Sequence, residues 1–387
     1  MMKIAIVTIL LFTSLSASAQ VALSDSAEVS IITCGPYQEE VYSAFGHTAI
    51  RIYDPLNGMD LAFNYGTFVF NSAFYLNFLK GDLLYKLGVS SYAPFRDSYI
   101  SEERFVHEQV LNFNRNQKQE IYNHLHKNAQ PENATYRYDY FYNNCSIKVR
   151  DLFIELFGQN LKFNNSYLKG GFTIRDLTRM YLQQQPWGEL GIEVCLGLPM
   201  DKQLSPFEYM FLPDYTERGF DHATLNGAPI VKRKNIVFEP DQKNSAISIF
   251  HPAIVFFLFL VGVIFISLKD WRWRKITKWF DVSIFLIIGF IGLLLFALWA
   301  FTAHEAAAKN FNLLWAIPFH VIAALILISR KYAYTLAGYF KVVWILSIIT
   351  LLLWFFIPQK LNVCLIPLVI ALGIRAFLIS RLLVKDR

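Results

Sequence analysis

Five apolar segments in the last third of the chain constrain its fold more than any other feature. They run roughly over 252–268, 282–303, 312–329, 342–357 and 363–380. Each is about 16–22 residues long, close to the ~20 that a helix needs to cross bilayer hydrocarbon. Composition agrees. Of 387 residues, 54% are hydrophobic and only 17% charged, against roughly 25% charged in an average soluble domain. A purely soluble protein, a disordered chain, collagen and a disulfide scaffold are all excluded.

Charge orients the segments. Residues 252–387 carry 14 Lys+Arg and 4 Asp+Glu, whereas residues 20–251 carry 21 and 26. The acidic middle offers no basic face to neutralise phosphates, so nucleic acid is not an expected partner. In the apolar third the cations lie on alternate connections: Lys269, Arg272, Arg274, Lys275 and Lys278, then Arg330, Lys331 and Lys341, then Arg381, Lys385 and Arg387. The other side has only Lys309 and Lys360. The positive-inside rule therefore puts 20–251 outside the cytoplasm and the C-terminus inside. Residues 1–19 agree independently. A charged start, a short apolar run from Ile4 to Phe12 and Ala17-Ser18-Ala19 predict a signal peptide cut before Gln20. The apolar run is too short for a membrane helix.

The expected organisation is thus a signal peptide (1–19), an outer domain (20–251) and an all-α five-helix transmembrane domain (252–387). One outer loop departs from a bland connector. Thr302-Ala303-His304-Glu305 and Asn310-Phe311-Asn312-Leu313-Leu314-Trp315 bring polar groups to the membrane boundary. They form either a solvated connector with a Trp anchor or a headgroup-binding rim of His304, Glu305 and Asn312.

The outer domain reads as α+β. Residues 29–34 predict a strand, with a short helix near 38–43. Residues 46–55 and 61–70 predict a hairpin around the turn Asp54-Pro55-Leu56-Asn57-Gly58. Residues 115–128 and 145–157 predict helices, the second with an apolar stripe of Leu152, Phe153, Leu156 and Phe157 stopped by Gly158. His107, His124 and His126 are expected in polar, helical, surface positions, and Arg150 with Asp151 as a structural pair.

Two places carry chemistry. His47 starts a strand directly after Gly46, and Cys145 opens a helix behind Asn144, a candidate N-cap. The positive helix end and its unpaired N–H groups favour a thiolate and can later hold an oxyanion. A His on a neighbouring strand can take the thiol proton and return it to a leaving group. Taken singly, such a Cys is usually a small core residue and such a His a satisfied one; the pairing in this context points to catalysis. No Cys-x-x-Cys or other ligand spacing suggests a metal, no cofactor is expected, and the Gly-x-Ser-x-Gly elbow of a serine hydrolase is absent. The outer domain holds Cys34, Cys145 and Cys195, so at least one is unpaired. If two pair, Cys34 with Cys195 is the expected bridge, leaving Cys145 free.

The order His on a strand, then Asn-Cys on a helix, resembles the circularly permuted NlpC/P60 papain-like enzymes, including the lecithin:retinol-acyltransferase-like group. More closely, the chain resembles the Bacteroidota lipoprotein N-acyltransferase (Lnb) family. The stretches are Ala44-Phe45-Gly46-His47-Thr48-Ala49-Ile50-Arg51, Asn64-Tyr65-Gly66-Thr67-Phe68, Phe78-Leu79-Lys80-Gly81-Asp82-Leu83-Leu84-Tyr85, Tyr138 through Asp151, Leu196-Gly197-Leu198-Pro199-Met200-Asp201, Phe211-Leu212-Pro213 and Asn312-Leu313-Leu314-Trp315-Ala316. Glu305 departs from the family pattern, where Pro is expected.

The resemblance implies a papain-like periplasmic domain on a multi-pass protein of the bacterial inner membrane, with Cys145 as nucleophile and His47 as its base. It implies an orienting residue on the strand after the His, which offers Asn64 or Tyr65. Asn64 is preferred, because an amide oxygen can accept the imidazole N–H. Asn144 and Tyr65 remain candidates for oxyanion or orientation roles. The implied reaction moves a fatty acyl chain from a membrane phospholipid, through a Cys thioester, to the α-amine of a diacylated lipoprotein. The alternative is a membrane-tethered cysteine peptidase or amidase acting on cell-wall peptide. The topology is testable first: a periplasm-active reporter fused after Lys341 should be silent, and one fused near Lys309 should be active.

Overall fold

Alternation along the strands builds a sheet with two different faces. The computed structural model describes residues 21–68, 72, 74–166, 168, 170–241, 250–329 and 333–385. The expected signal peptide lies outside the described residues, as do the last two residues of the strand expected over 61–70. In chain order the outer part contains β1 (Glu28–Cys34), β2 (His47–Asp54), β3 (Met59–Thr67), α1 (Phe74–Lys80), β4 (Leu83–Ser91) and α2 (Tyr92–Ser101). Then come β5 (Val106–Leu111), α3 (Arg115–Asn128), β6 (Thr135–Tyr138), α4 (Cys145–Phe157) and β7 (Leu161–Phe163). It ends with α5 (Ile174–Leu182), α6 (Pro186–Cys195), α7 (Pro213–Asp221), β8 (Ala223–Leu225), β9 (Ala228–Pro229) and β10 (Val231–Phe238). The main sheet is antiparallel, in the order β10-β5-β1-β2-β3-β4-β6.

The expected hairpin is β2–β3, with Ile50 opposite Phe63 and Asp54 opposite Met59. Val29, Ile31, Ile50, Ile52 and Phe63 face one side and pack under α4, whose Val149, Leu152 and Phe153 are buried. Ile32, Ala49 and Ala62 face the other, under Tyr92 and Phe95 of α2. On that second face Arg51 reaches Asp60 at 2.7 Å and Glu108 at 2.9 Å, its guanidinium 3.9 Å from the Tyr92 ring centroid.

Two local expectations change. The helix expected near 38–43 is a single 3₁₀ turn, Val41–Ser43, without a side-chain cap. Ser43 O accepts from Tyr37 N–H at 3.0 Å and from Gly46 N–H at 3.2 Å, which closes the segment as a loop before β2. His107 sits on β5, not on a helix, held between Glu217 and Glu239 at 2.9 Å each.

The C-terminal part is helical: α8 (Pro252–Trp273), α9 (Lys278–Phe301), α10 (His320–Ile328), α11 (Ala337–Leu352) and α12 (Ile366–Lys385). Among the described residues, four spans are long and apolar enough to cross a membrane: Pro252–Trp273, Lys278–Phe301, Ala333–Leu352 and Val363–Leu383. The segment expected as a third span, 312–329, is α-helical only over α10. Pro318, which lacks an N–H, stands before that helix, and a 3₁₀ turn (Phe311–Leu314) precedes it. Even so, the segment follows α9 along its length. Ala316 and Val321 lie against Gly292 and Gly289, where a Cβ would meet Ala316 O at 2.2 Å and Val321 N at 2.5 Å. The Ile328 carbonyl accepts from Lys278 at the start of α9. Irregular backbone at this depth is tolerated because protein covers it, and the glycines permit the close approach.

Arg375 on α12, fully buried, ties three helices together. It donates to Asp281 at 2.6 and 2.8 Å, to Asp270 at 2.8 Å and to Ser267 at 3.0 Å.

A second polar joint fastens the two halves. Arg175, fully buried, donates to Asp201, to the Glu193 carbonyl and to those of Leu196 and Gly197, all within 2.9–3.1 Å. Gly197 N–H donates to Ala306 O at 2.7 Å, and a Cβ on Gly197 would come within 1.9 Å of Ala308 O. Asn310 donates to Val194 O at 2.7 Å, Gln359 to Leu196 O at 3.1 Å, and Asn362 to Glu193 at 2.6 Å. Lys360 pairs with Asp176 at 2.7 Å.

Removing one partner of a buried ion pair leaves a charge uncompensated, typically at a cost of about 3–5 kcal/mol. Arg375→Met should therefore sharply lower the unfolding temperature in detergent. Adding Asp270→Asn and Asp281→Asn should restore much of it.

Candidate active site

The site forms where β2 begins. Gly46, at φ +82°, turns the chain into the strand, and a Cβ there would stand 2.7 Å from Cys34 O. His47 follows, opposite Cys34 in the ladder. Its ring stacks on Tyr99 of α2, with centroids 6.0 Å apart and planes 6° apart. Nε2 donates to Asn64 Oδ1 at 2.7 Å, which leaves Nδ1 as the nitrogen available to a thiol. Gly66, at φ +156°, follows in a β3 irregularity, and a Cβ there would lie 2.9 Å from His47 Cε1. Any side chain would push the imidazole out of place.

Cys145 arrives as the first residue of α4. Asn144 caps the helix, its Oδ1 accepting from Ile147 N–H at 3.1 Å, while its Nδ2 donates to Tyr140 O at 2.9 Å and Phe211 O at 2.8 Å. Thr48, one residue beyond His47 and facing α4, holds the second residue of the helix: Thr48 Oγ1 and Ser146 Oγ share a hydrogen bond of 2.9 Å. Cys145 is 8% exposed and lies close enough to His47 for each to shift the other's ionisation.

Electrostatics separates the two cysteines near this point. Burial pushes the Cys145 thiol up, but the charge and hydrogen bond of His47, the Thr48 N–H and the Ser146 hydroxyl outweigh it, so its pKa lies below the ordinary value. Burial pushes His47 down, and Cys145 with Asn64 brings it above its ordinary value. Both shifts favour a thiolate–imidazolium pair. Cys34 has burial without such compensation, and its thiol is pushed well up. The pair can attack a carbonyl carbon and then return a proton to a leaving group.

The structure brings Cys145, His47 and Asn64 together and separates the other candidates. Tyr65 points to the opposite face of β3, buried in the core, its hydroxyl accepting from Asn128 at 3.0 Å. Period-two alternation forbids Asn64 and Tyr65 from both facing His47. The Asn144 amide is fully engaged with two carbonyls, so it orients Cys145 and has no donor left for an oxyanion. Asn312 is 1% exposed and bonded to Val194 O, Asn310 and Trp315. It belongs to the joint and is not a headgroup rim. His304 donates to Phe78 O at 2.7 Å, while Glu305 stays exposed. All four cysteines are free. The expected Cys34–Cys195 bridge is absent, because Cys34 is sealed inside β1 and Cys195 ends α6 at the joint. Arg150 and Asp151 do pair, at 2.7 Å. Thr48, Ser146, Gly66 and Tyr99 are the contributors that sequence reasoning missed. Only their adjacency to His47, Cys145 and Asn64 could have flagged the first three.

Residues 18–180 match the Lnb N-terminal periplasmic domain, and residues 242–387 match the Lnb transmembrane domain. No curated protein and no solved structure matches the chain. The sheet-rich outer part continues past the first match to β10, and the second match takes in all five C-terminal helices. With both domains present in that order beside a Cys–His–Asn site, the chain is a membrane protein that belongs to the Lnb family.

Proposed function

We propose that this protein is a lipoprotein N-acyltransferase with Cys145 as nucleophile, His47 as general base and acid, and Asn64 orienting the imidazole. The observation that carries the reading is the Cys145–His47–Asn64 arrangement on a domain bonded to the ends of apolar, membrane-length helices. In the first half-reaction His47 Nδ1 takes the Cys145 proton and the thiolate attacks an ester carbonyl of a membrane phospholipid. The tetrahedral oxyanion is held by N–H groups at the start of α4. The C–O bond breaks, His47 protonates the departing lysophospholipid oxygen, and a thioester remains. In the second, the α-amine of an S-diacylglyceryl-cysteine lipoprotein attacks the thioester. His47 accepts the amine proton, the C–S bond breaks, and the thiol is restored. The donor ester supplies the driving force, and burial of Cys145 limits hydrolysis of the intermediate.

The domain division falls near 251/252, with the N-terminal domain in the periplasm. The joint lies at 302–312 and 358–362, so the opposite ends of the helices, including the C-terminus, face the cytoplasm.

Mass spectrometry of lipoprotein N-termini tests the reading: cells lacking the protein should lose N-acylation. Purified enzyme given phospholipid and no amine should gain one acyl chain on the Cys145 peptide, removable by neutral hydroxylamine. Cys145→Ser and His47→Ala should each reduce loading by several orders of magnitude while inserting normally. Cleavage of cell-wall peptide without acyl loading would favour the peptidase alternative.

The lowered thiol makes a separate prediction. Alkylation of Cys145 by iodoacetamide should stay fast below the ordinary thiol range, falling only as the pH drops through the depressed pKa. His47→Ala removes the stabilising charge and should shift that inflection upward.

A further inference from the structure

A run of aromatic rings leads from Cys145 to the end of a membrane helix. Tyr140, whose carbonyl accepts from Asn144 next to Cys145 at 2.9 Å, meets Tyr138, and Tyr138 stacks on Tyr85 with centroids 4.1 Å apart. From Tyr85 the run continues to Phe68 at 5.0 Å and Phe74 at 5.2 Å. From Tyr138 it passes Tyr140 at 5.2 Å and Phe78 at 6.3 Å, reaching His304 at 6.2 Å. The first branch ends on α1, and the second crosses α1 at Phe78 to reach His304.

That helix is held at the level where α9 finishes. Ala303 N–H donates to Lys80 O at 2.9 Å, and His304 donates to Phe78 O at 2.7 Å. Gly81, at φ +70°, lets the chain pass so closely that a Cβ would stand 3.0 Å from His304 N. The outer side of α1 is apolar, with Leu76 59%, Phe78 40% and Leu79 47% exposed. Phe301, which ends α9, is 77% exposed beside this region. Exposed apolar surface continuous with a membrane-crossing helix is stable when lipid covers it. Lys80, exposed at the end of α1, puts a cation where a phosphate headgroup would lie.

We propose that α1 dips into the outer leaflet as a lip and that the aromatic run guides a fatty acyl chain of the donor phospholipid from the leaflet to Cys145. The inference rests on the acyl-transfer reading above and adds the route. Aromatic rings suit it because their flat faces offer broad apolar contact to a sliding chain.

The full-length protein in vesicles of phosphatidylethanolamine and phosphatidylglycerol tests the route. Thioester formation is measured from vesicle phospholipid and from soluble p-nitrophenyl butyrate, whose acyl chain needs no path from the leaflet. In Leu76→Ser/Leu79→Ser the ratio of the two rates should fall at least tenfold. An unchanged ratio overturns the proposal. So does normal loading with lost transfer to a diacylated lipopeptide, which would assign the lip to the acceptor. If wild-type protein takes no acyl chain from phospholipid, the acyl-transfer reading fails instead. A second measurement does not depend on turnover. In the Cys145→Ser protein, benzoylphenylalanine replacing Leu79 should photocrosslink to vesicle phospholipid. The same residue replacing Leu56, 78% exposed on the β2–β3 turn, should not. No lipid adduct at position 79 overturns the lip.

Discussion

The polar joint between the outer domain and the helices is the constraint on which the rest depends. Arg175 gathers Asp201 and the carbonyls of Glu193, Leu196 and Gly197. Those backbone segments then meet Asn310, Gln359 and the Ala306–Ala308 turn. Buried carbonyls and a buried guanidinium are costly unless each finds a partner, so the joint has few alternative geometries. Gly197 shows how tight it is, since any side chain there would overlap Ala308 O. A rigid joint keeps Cys145 at one height above the helices. A flexible tether would let the same pair wander from the lipid surface.

Within the outer domain, burial alone would make a poor thiolate. Cys34 and Cys145 are both buried, yet their thiols shift in opposite directions. The difference is local: Cys145 has an imidazole, a backbone N–H and a hydroxyl, and it sits at a helix start. Asn144 holds that arrangement in place by capping α4 and fastening its first turn to the Tyr140 and Phe211 carbonyls. The imidazole is fixed just as closely, between Asn64, the Tyr99 ring and the bare backbone of Gly66.

The helical half follows different rules. Arg375 with Asp270 and Asp281 joins three apolar helices that have little hydrophobic reason to prefer one another in lipid. The stretch before α10 departs from helix because Pro318 interrupts it, and α9 covers the exposed backbone with two glycines. These are packing solutions, and apolar content does not reveal them.

Sequence alone determined that a sheet-rich part is followed by apolar helices, because apolar runs of near membrane length are a local property that bilayer physics reads directly. It also determined the β2–β3 hairpin, the helix beginning at Cys145 with its Asn144 cap, and the candidate pairing of that Cys with His47. Each of these shows in period, turn residues or capping chemistry. Tertiary structure alone decided between Asn64 and Tyr65, since neighbouring strand residues face opposite sides and the register chooses which meets the imidazole. It decided that Asn312 is a joint residue, that Cys34 and Cys195 stay apart, and that His107 sits on a strand between two carboxylates. Long-range contact makes these outcomes, and residues far apart in the chain carry no local sign of whom they will meet.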